Sequence, residues 1–165
     1  MGTDIYMRWR QITDAERDAQ VTGFAVNAGA EGYLRASIGM QLENAILRRL
    51  FPSEYWSEET TKPYDFQGNY GDMLAMALPY LSACYTGQEL GTADELLAKI
   101  RSGQMVEQLK GVLGGGEVKV PGAERGHALK ELRFGLVWYT SLVQFFDLGM
   151  EKQEAKLRPY PLISW

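Results

Sequence analysis

The chain has 165 residues, a formal net charge of -4 and a hydrophobic fraction of 45%. This composition predicts one folded domain with a substantial core, because disordered chains combine lower hydrophobicity with higher charge. Proteins that bind nucleic acid need clustered Lys and Arg, whereas the densest basic spots here are only pairs or near-pairs such as Arg48 with Arg49. The net negative charge and the lack of basic clusters therefore argue against a nucleic-acid partner.

The number of cysteines and the length of the longest apolar stretch indicate where in the cell the protein is expected to be. Cys84 is the single cysteine, which excludes an intrachain disulfide and favours a cytoplasmic location. The longest apolar stretch, residues 73–85, is shorter than the ~20 residues that a membrane-spanning helix needs. The first residues also lack the basic and apolar segments of a signal peptide. We expect neither secretion nor a membrane partner.

The beginning of the chain carries a strand pattern. Ile5, Met7 and Trp9 alternate with more polar residues over positions 3–10, which predicts a strand with one buried face. Four glycines then interrupt residues 21–39, and this spacing favours short extended pieces joined by turns.

Most of the predicted core is helical. Apolar residues recur at three- and four-residue spacing along four segments that are bounded by capping residues, glycine or proline. In the first of these segments, Leu42, Ile46 and Leu50 define the expected buried stripe. The predicted helices are residues 40–51, 70–86, 92–113 and 124–157.

Several residues mark the expected helix ends. Thr13 with Glu16 has the spacing of a capping box and predicts a short helix that follows the first strand. Asn69 and Asp72 are expected to cap the second core helix. Pro79 lies inside that helix and predicts a kink or a restart, because proline removes a backbone hydrogen bond at a cost of roughly 3 kcal/mol.

The last eight residues are expected to be extended, since Pro159 and Pro161 cannot continue a helix. Their apolar side chains are unfavourable in water, so we expect the segment to dock on its own domain, beside the first strand. Docking in a partner subunit is the alternative. The predicted fold is mainly α, a single domain of four to five helices with a minor β element near the termini.

Catalytic candidates are few. His127 is the only histidine, which excludes metal sites built from two or more imidazoles. It could act as a general base oriented by a carboxylate such as Asp72 or Glu31. Three consecutive glycines at 114–116 lack the context of a phosphate-binding motif and are interpreted as a flexible interhelical loop. The sequence predicts no metal and no cofactor.

An aromatic segment, residues 55–70, is the strongest candidate for binding. Tyr and Trp offer a large apolar face and one polar group, so on a surface they can anchor a protein interface or line a cleft. The same segment could instead fold back and cover the core. The candidate binding residues are Tyr55, Trp56, Tyr64, Phe66 and Tyr70.

These observations favour a small acidic cytoplasmic factor that binds another protein, of an inhibitory, immunity-type or accessory kind. The absence of a catalytic signature, the acidic balance and the aromatic segment motivate this hypothesis. One alternative is a small hydrolase or transferase that uses His127 with a carboxylate. Another is a structural homo-oligomer whose aromatic residues form the subunit contacts.

Overall fold

The computed structural model describes residues 2–21, 28–84, 93–104 and 127–165. Over these ranges the protein is mainly α-helical, with five α-helices and a small sheet near the termini. The predicted fold class is confirmed. The elements in chain order are β1 (Gly2–Arg8), α1 (Asp14–Val21), β2 (Tyr33–Ser37), α2 (Gln41–Leu50), α3 (Phe66–Cys84), α4 (Ala93–Arg101), α5 (His127–Glu154) and β3 (Tyr160–Ser164), with 3-10 turns at Ala28–Glu31 and Ser53–Tyr55.

The three strands form an antiparallel sheet in the order β2-β1-β3. Alternate residues of β1 are buried, as the period-two pattern predicts. Ile5 pairs with Leu34 on one side and Ile163 on the other, so one face of the sheet contributes to the core. Pro161 is accommodated because β3 is an edge strand. The chain's last segment therefore docks on its own domain beside β1, as expected.

Helix α5 is the central helix. Each residue from 138 to 146 is buried, so this part of the helix is enclosed on all sides. Helix α3 packs along one side of α5 and the 3-10 turn Ala28–Glu31 along another. Two glycines permit the close approach: a Cβ at Gly29 would lie 1.8 Å from the Ser141 carbonyl oxygen, and one at Gly149 would lie 2.3 Å from Cγ of Phe66.

The short helices confirm part of the predicted pattern. Thr13 and Glu16 form the expected capping box, in which the Thr13 amide donates to the Glu16 carboxylate and the Glu16 amide donates to the Thr13 hydroxyl. Helix α2 also forms where expected, but its buried stripe differs. Leu42 is 46% exposed, whereas Leu47 is fully buried. The buried face of α2 is formed by Ile46, Leu47 and Leu50, and Leu42 does not belong to it.

The start of α3 corrects a prediction. The helix begins at Phe66 and is capped by Asp65, whose Oδ1 accepts a hydrogen bond from the Gly68 amide at 2.9 Å. Asn69 and Asp72 lie inside the helix, so the cap predicted for them is wrong. Helix α3 continues through Pro79 without the predicted restart.

Within the third predicted helix, α4 spans Ala93–Arg101 and is followed by a turn at Ser102 and Gly103. The remaining predictions for residues 85–92 and 105–126, including the glycine loop at 114–116, lie outside the described residues.

Asp65→Ala is expected to lower the free energy of unfolding by about 1 kcal/mol, the usual effect of removing a helix cap. Asp72→Ala on the exposed side of the same helix is the control, with an expected change below ~0.5 kcal/mol. Urea denaturation measures both. Equal losses of unfolding free energy in the two variants would contradict the assignment of Asp65 as the cap.

The Asp65 cap also predicts a pH dependence. Hydrogen bonds from the Gln153 side chain and the Gly68 amide lower the pKa of Asp65 below its usual value. A lowered folded-state pKa stabilises the protein fully above the ordinary Asp pKa of ~3.9 and progressively less as the pH falls toward the lowered value. The difference between wild type and Asp65→Ala should therefore shrink in acid.

Gly149→Ala is expected to destabilise the protein by about 1–3 kcal/mol, because the new Cβ would overlap the Phe66 ring. Gly71 provides a matched control: it is an exposed position of α3 where a Cβ would meet no other described atom within 4 Å. Gly71→Ala should raise stability by about 0.5–1 kcal/mol. Thermal unfolding measures both changes, and the same sign for the two variants would refute the packing argument.

Candidate functional site

The aromatic segment covers the core. Tyr55, Trp56, Tyr64 and Phe66 are each at most 7% exposed, so these four expected binding residues are not available as an exposed contact surface. Tyr70, the fifth, is half-buried. Of the two roles considered for the segment, these four residues take the covering role. Apolar rings at these positions gain more from burial than from solvent contact, and their polar atoms can be satisfied locally.

Local carbonyl groups accept the hydrogen bonds of the buried rings. The Tyr64 hydroxyl donates to the Leu50 carbonyl at 2.7 Å, and the Trp56 indole N–H donates to the Phe51 carbonyl at 2.8 Å. Burial raises the pKa of Tyr64 well above its usual value, so its hydroxyl remains a donor at neutral pH. These bonds fix the segment against the end of α2.

Trp56 supports an exposed surface that we call the Trp165 patch. The ring of Trp165 packs edge-on against Trp56 with centroids 5.9 Å apart, yet Trp165 is 57% exposed. Nearby Ile38 is 76% exposed. Both residues border a shallow depression of about 430 Å³, whose lining residues define the patch: Gly2, Thr3, Ile38, Gln41, Asn44, Arg48 and Trp165.

The floor of the Trp165 patch is held by side-chain hydrogen bonds. The Thr3 hydroxyl donates to Asn44 Oδ1 at 3.0 Å, and Asn44 Nδ2 donates to the carbonyl groups of Ser37 and Met40. Asn44 thereby connects the sheet to the first turns of α2. The depression is consequently preformed in the fold.

Arg48 contributes the charge of the patch. Its guanidinium carbon lies 3.5 Å from the ring centroid of Trp56, a cation–π contact that orients the group. Arg48 forms no ion pair with any residue that the structure describes. The patch therefore presents an exposed indole, an aliphatic side chain and an oriented, unneutralised cation.

The catalytic candidates lie far apart. Asp72 is exposed on α3, two residues from Tyr70, which bonds Asp147 of α5. His127 is the first residue of α5 and precedes Asp147 by about 20 residues, or ~30 Å at the ~1.5 Å rise of a helix. Glu31 is the last residue of the 3-10 turn, and that turn packs near Ser141 of α5. Ser141 lies ~20 Å along the helix from His127. The structure brings neither carboxylate to His127.

A second polar site joins three helices. Tyr70 of α3 donates its hydroxyl to Asp147 of α5 at 2.7 Å, and Arg101 of α4 contacts both, at 2.8 Å to the Tyr70 oxygen and 2.9 Å to Asp147 Oδ1. Burial, followed by the bond to Asp147, raises the pKa of Tyr70. Hydrogen bonding to Asp147 raises the pKa of Arg101, which keeps the guanidinium charged. This cluster fastens α4 to the α3–α5 pair.

An open groove of about 980 Å³ extends along α5 beside this cluster. Its volume is in the range of small-molecule sites. Arg101 and Asp147 form one part of the lining, and the half-buried Leu148 and Met150 provide apolar surface. Glu151, Glu154 and Lys156 line its more exposed part.

No pattern in the sequence marks the residues of either surface as candidates. Arg101 and Asp147 are 46 positions apart, and no local pattern connects them. Ile38 is a single apolar residue between the end of β2 and Gly39. A single apolar residue in a turn only weakly indicates an exposed position. Trp165 was expected only to dock.

Two structural findings concern metals and membranes. Within the described ranges, His, Cys, Asp and Glu form no group of three or more that could hold a metal ion. No helix in those ranges combines the length and the apolar content that crossing a bilayer requires.

Tyr70→Phe is expected to lower the free energy of unfolding by about 1 kcal/mol, because the Asp147 carboxylate and the Arg101 guanidinium both lose a hydrogen-bond partner. Tyr80→Phe on the same helix is the control, since the ring of Tyr80 stacks on Tyr139 and is 37% exposed. Its hydroxyl forms no hydrogen bond with a described residue, so we expect a change below ~0.5 kcal/mol. Urea unfolding curves that coincide for wild type and Tyr70→Phe would show that the cluster contributes nothing.

Comparison of the chain with protein-family models, with curated proteins and with solved structures found no match in any of the three.

Proposed function

We propose that this protein is a non-catalytic factor that binds another protein through the Trp165 patch. One observation carries the proposal: Trp165 remains 57% exposed although its own chain holds it in place against Trp56. An exposed indole is unfavourable in water unless another surface covers it. The contact surface thus lies beside the aromatic segment rather than on it.

The composition of the patch supports a protein partner. Trp and Arg are the residue types most enriched among those that dominate binding energies at interfaces. Because Trp56 and Asn44 already fix the surrounding groups, binding would immobilise few side chains. A fixed aromatic anchor next to a shallow depression suits the insertion of an apolar side chain from the partner.

Arg48 specifies the chemistry of that partner. Its guanidinium is oriented on Trp56 and has no carboxylate partner among the described residues. A carboxylate supplied by the partner could form a charge-assisted hydrogen bond there. The expected ligand surface is therefore an apolar side chain flanked by Asp or Glu.

A second copy of this chain fits less well. A two-fold contact places the same patch on both sides of the interface, which would bring the two Arg48 cations together. The overall charge of -4 also disfavours association of identical chains. We therefore favour a different protein as the occupant.

Site-specific photo-crosslinking in the source cells tests this proposal. A photoreactive phenylalanine derivative at position 38 should crosslink one defined protein, whereas the same group at exposed position 98 on α4 should not. The crosslinked protein is then purified and its affinity for wild type and variants is measured by calorimetry. Trp165→Ala should weaken binding by about 2 kcal/mol, or roughly 30-fold.

Neighbouring arginines provide a matched control. Arg48→Ala should weaken binding and reduce its dependence on salt, whereas Arg49→Ala, an exposed residue that does not line the patch, should have little effect. If position 38 crosslinks only to a second copy of the chain, the patch is a subunit contact and the proposal of a different protein partner is wrong. Equal affinities of wild type and Trp165→Ala would refute the assigned surface.

A further inference from the structure

The sheet has an outer face that is turned away from the core. Alternate residues of β1, which include Tyr6 and Arg8, are half-buried on this face. Arg8 pairs with Tyr160 of β3, and Tyr6 pairs with Leu162. Cross-strand partners lie on the same face of a sheet, and Tyr160 and Leu162 are also half-buried. These four side chains therefore adjoin one another and keep part of their surface in contact with solvent.

A buried glutamine holds Arg8 in place. Gln20, near the end of α1, is fully buried. Its Oε1 accepts a hydrogen bond from Arg8 Nη1, and its Nε2 donates to the Met7 carbonyl at 2.9 Å. The Arg8 guanidinium also lies over the Tyr6 ring, 5.4 Å from the ring centroid. The position of Arg8 is consequently fixed before any ligand binds.

Arg17 brings a second cation to the same place. It stands three positions before Gln20 on α1, the spacing of one helix face, and its side chain is exposed. Burial lowers the pKa of Arg8, and the positive charge of Arg17 lowers it further. Both guanidinium groups remain charged at neutral pH. The fold thus brings together two arginines that are nine positions apart in the sequence.

The two cations lack an opposite charge. Neither Arg8 nor Arg17 forms an ion pair with a residue that the structure describes. On the same face Arg35 is paired with Asp4 at 3.0 Å, so the sheet does neutralise another of its arginines. A half-buried cation beside a like charge is unfavourable, because it has lost part of its hydration. A bound anion would offset both effects.

The free donors of Arg8 indicate the kind of anion. In its hydrogen bonds to described residues Arg8 uses Nη1 alone. Its Nε and Nη2 groups form one edge of the planar guanidinium and can donate to two oxygens of one phosphate. A phosphate monoester carries a charge of about -1.5 to -2 at pH 7, which matches two guanidinium groups better than a single carboxylate does.

We propose that Arg8 and Arg17 bind a phosphate monoester on the outer face of the sheet. Arg8 holds two phosphate oxygens through Nε and Nη2, and Arg17 neutralises the second negative charge. Tyr160 and Leu162 offer apolar surface to the organic part, which favours an aromatic group. None of these residues lines the Trp165 patch, so the two proposals can fail independently.

Calorimetric titration of the full chain with phenyl phosphate tests the inference, at ~pH 7.5 where the phosphate is a dianion. Wild type should bind one equivalent. Arg17→Ala should weaken binding at least ~10-fold, the effect of losing one hydrogen bond to a charged group. Arg8→Lys should also weaken binding, because lysine keeps the charge but lacks the planar pair of donors. Arg49→Ala removes an exposed cation of α2 and should bind as wild type does.

Thermal unfolding separates weak binding from misfolding. Arg17 is exposed, so Arg17→Ala without ligand should melt at the wild-type temperature. Phenyl phosphate should raise the melting temperature of wild type more than that of Arg17→Ala. Equal affinities of wild type and Arg17→Ala would overturn the proposal. So would equally tight binding of benzoate, which carries the same ring but a single charge.

Competition with phenyl phosphate distinguishes two sources of the phosphate group. Nα-acetyl-phosphotyrosine amide represents a phosphorylated side chain of another protein, and AMP represents a free nucleotide. The tighter competitor identifies the source. If neither displaces phenyl phosphate, the outer face does not recognise phosphate monoesters as a class and the proposal is wrong.

Discussion

The enclosure of α5 is the constraint on which the rest of the structure depends. A helix buried on every side over residues 138–146 must be surrounded by the remaining elements, and α3, the sheet and the first 3-10 turn do this. The helix backbone is approached closely at Gly29 and Gly149, where a side chain would overlap its neighbour. This enclosure also buries the polar residues Thr140, Ser141 and Gln144.

The aromatic segment links the core to the Trp165 patch. Tyr64 and Phe66 pack against Phe146 of α5, with ring centroids 6.0 and 5.4 Å apart, and so belong to the core. Trp56 has the same buried character but also supports two exposed groups, Trp165 and Arg48. A buried ring thus determines the geometry of a surface. The patch depends on the core without being part of it.

The two surfaces are chemically distinct and are built from different elements. The Trp165 patch combines β1, α2 and the residue after β3, and it presents an apolar anchor with a cation. The groove is formed chiefly by α4 and α5 and presents carboxylates beside apolar side chains. Substitutions in one surface should therefore leave the contacts of the other intact.

The sequence alone determined much of the local structure. Alternation in β1, the Thr13–Glu16 capping box and the prolines near the end of the chain depend on neighbouring residues, so periodicity and local hydrogen bonding were sufficient to predict them. The same local rules favoured Asp72 as a cap, although Asp65 performs that role. Several polar residues in one stretch satisfy a capping pattern equally well, and Phe66 must enter the core for the helix to begin there.

Only the tertiary structure decided which residues are exposed and which meet. The exposure of Leu42 and the burial of Tyr64 depend on how far the core extends from distant segments, and composition does not contain that information. Arg101 and Asp147 meet because α4 and α5 pack together, just as Trp165 meets Trp56 because β3 pairs with β1. Both candidate surfaces depend on such long-range contacts. Periodicity predicts the elements, but a site forms only where elements from distant parts of the chain pack against one another.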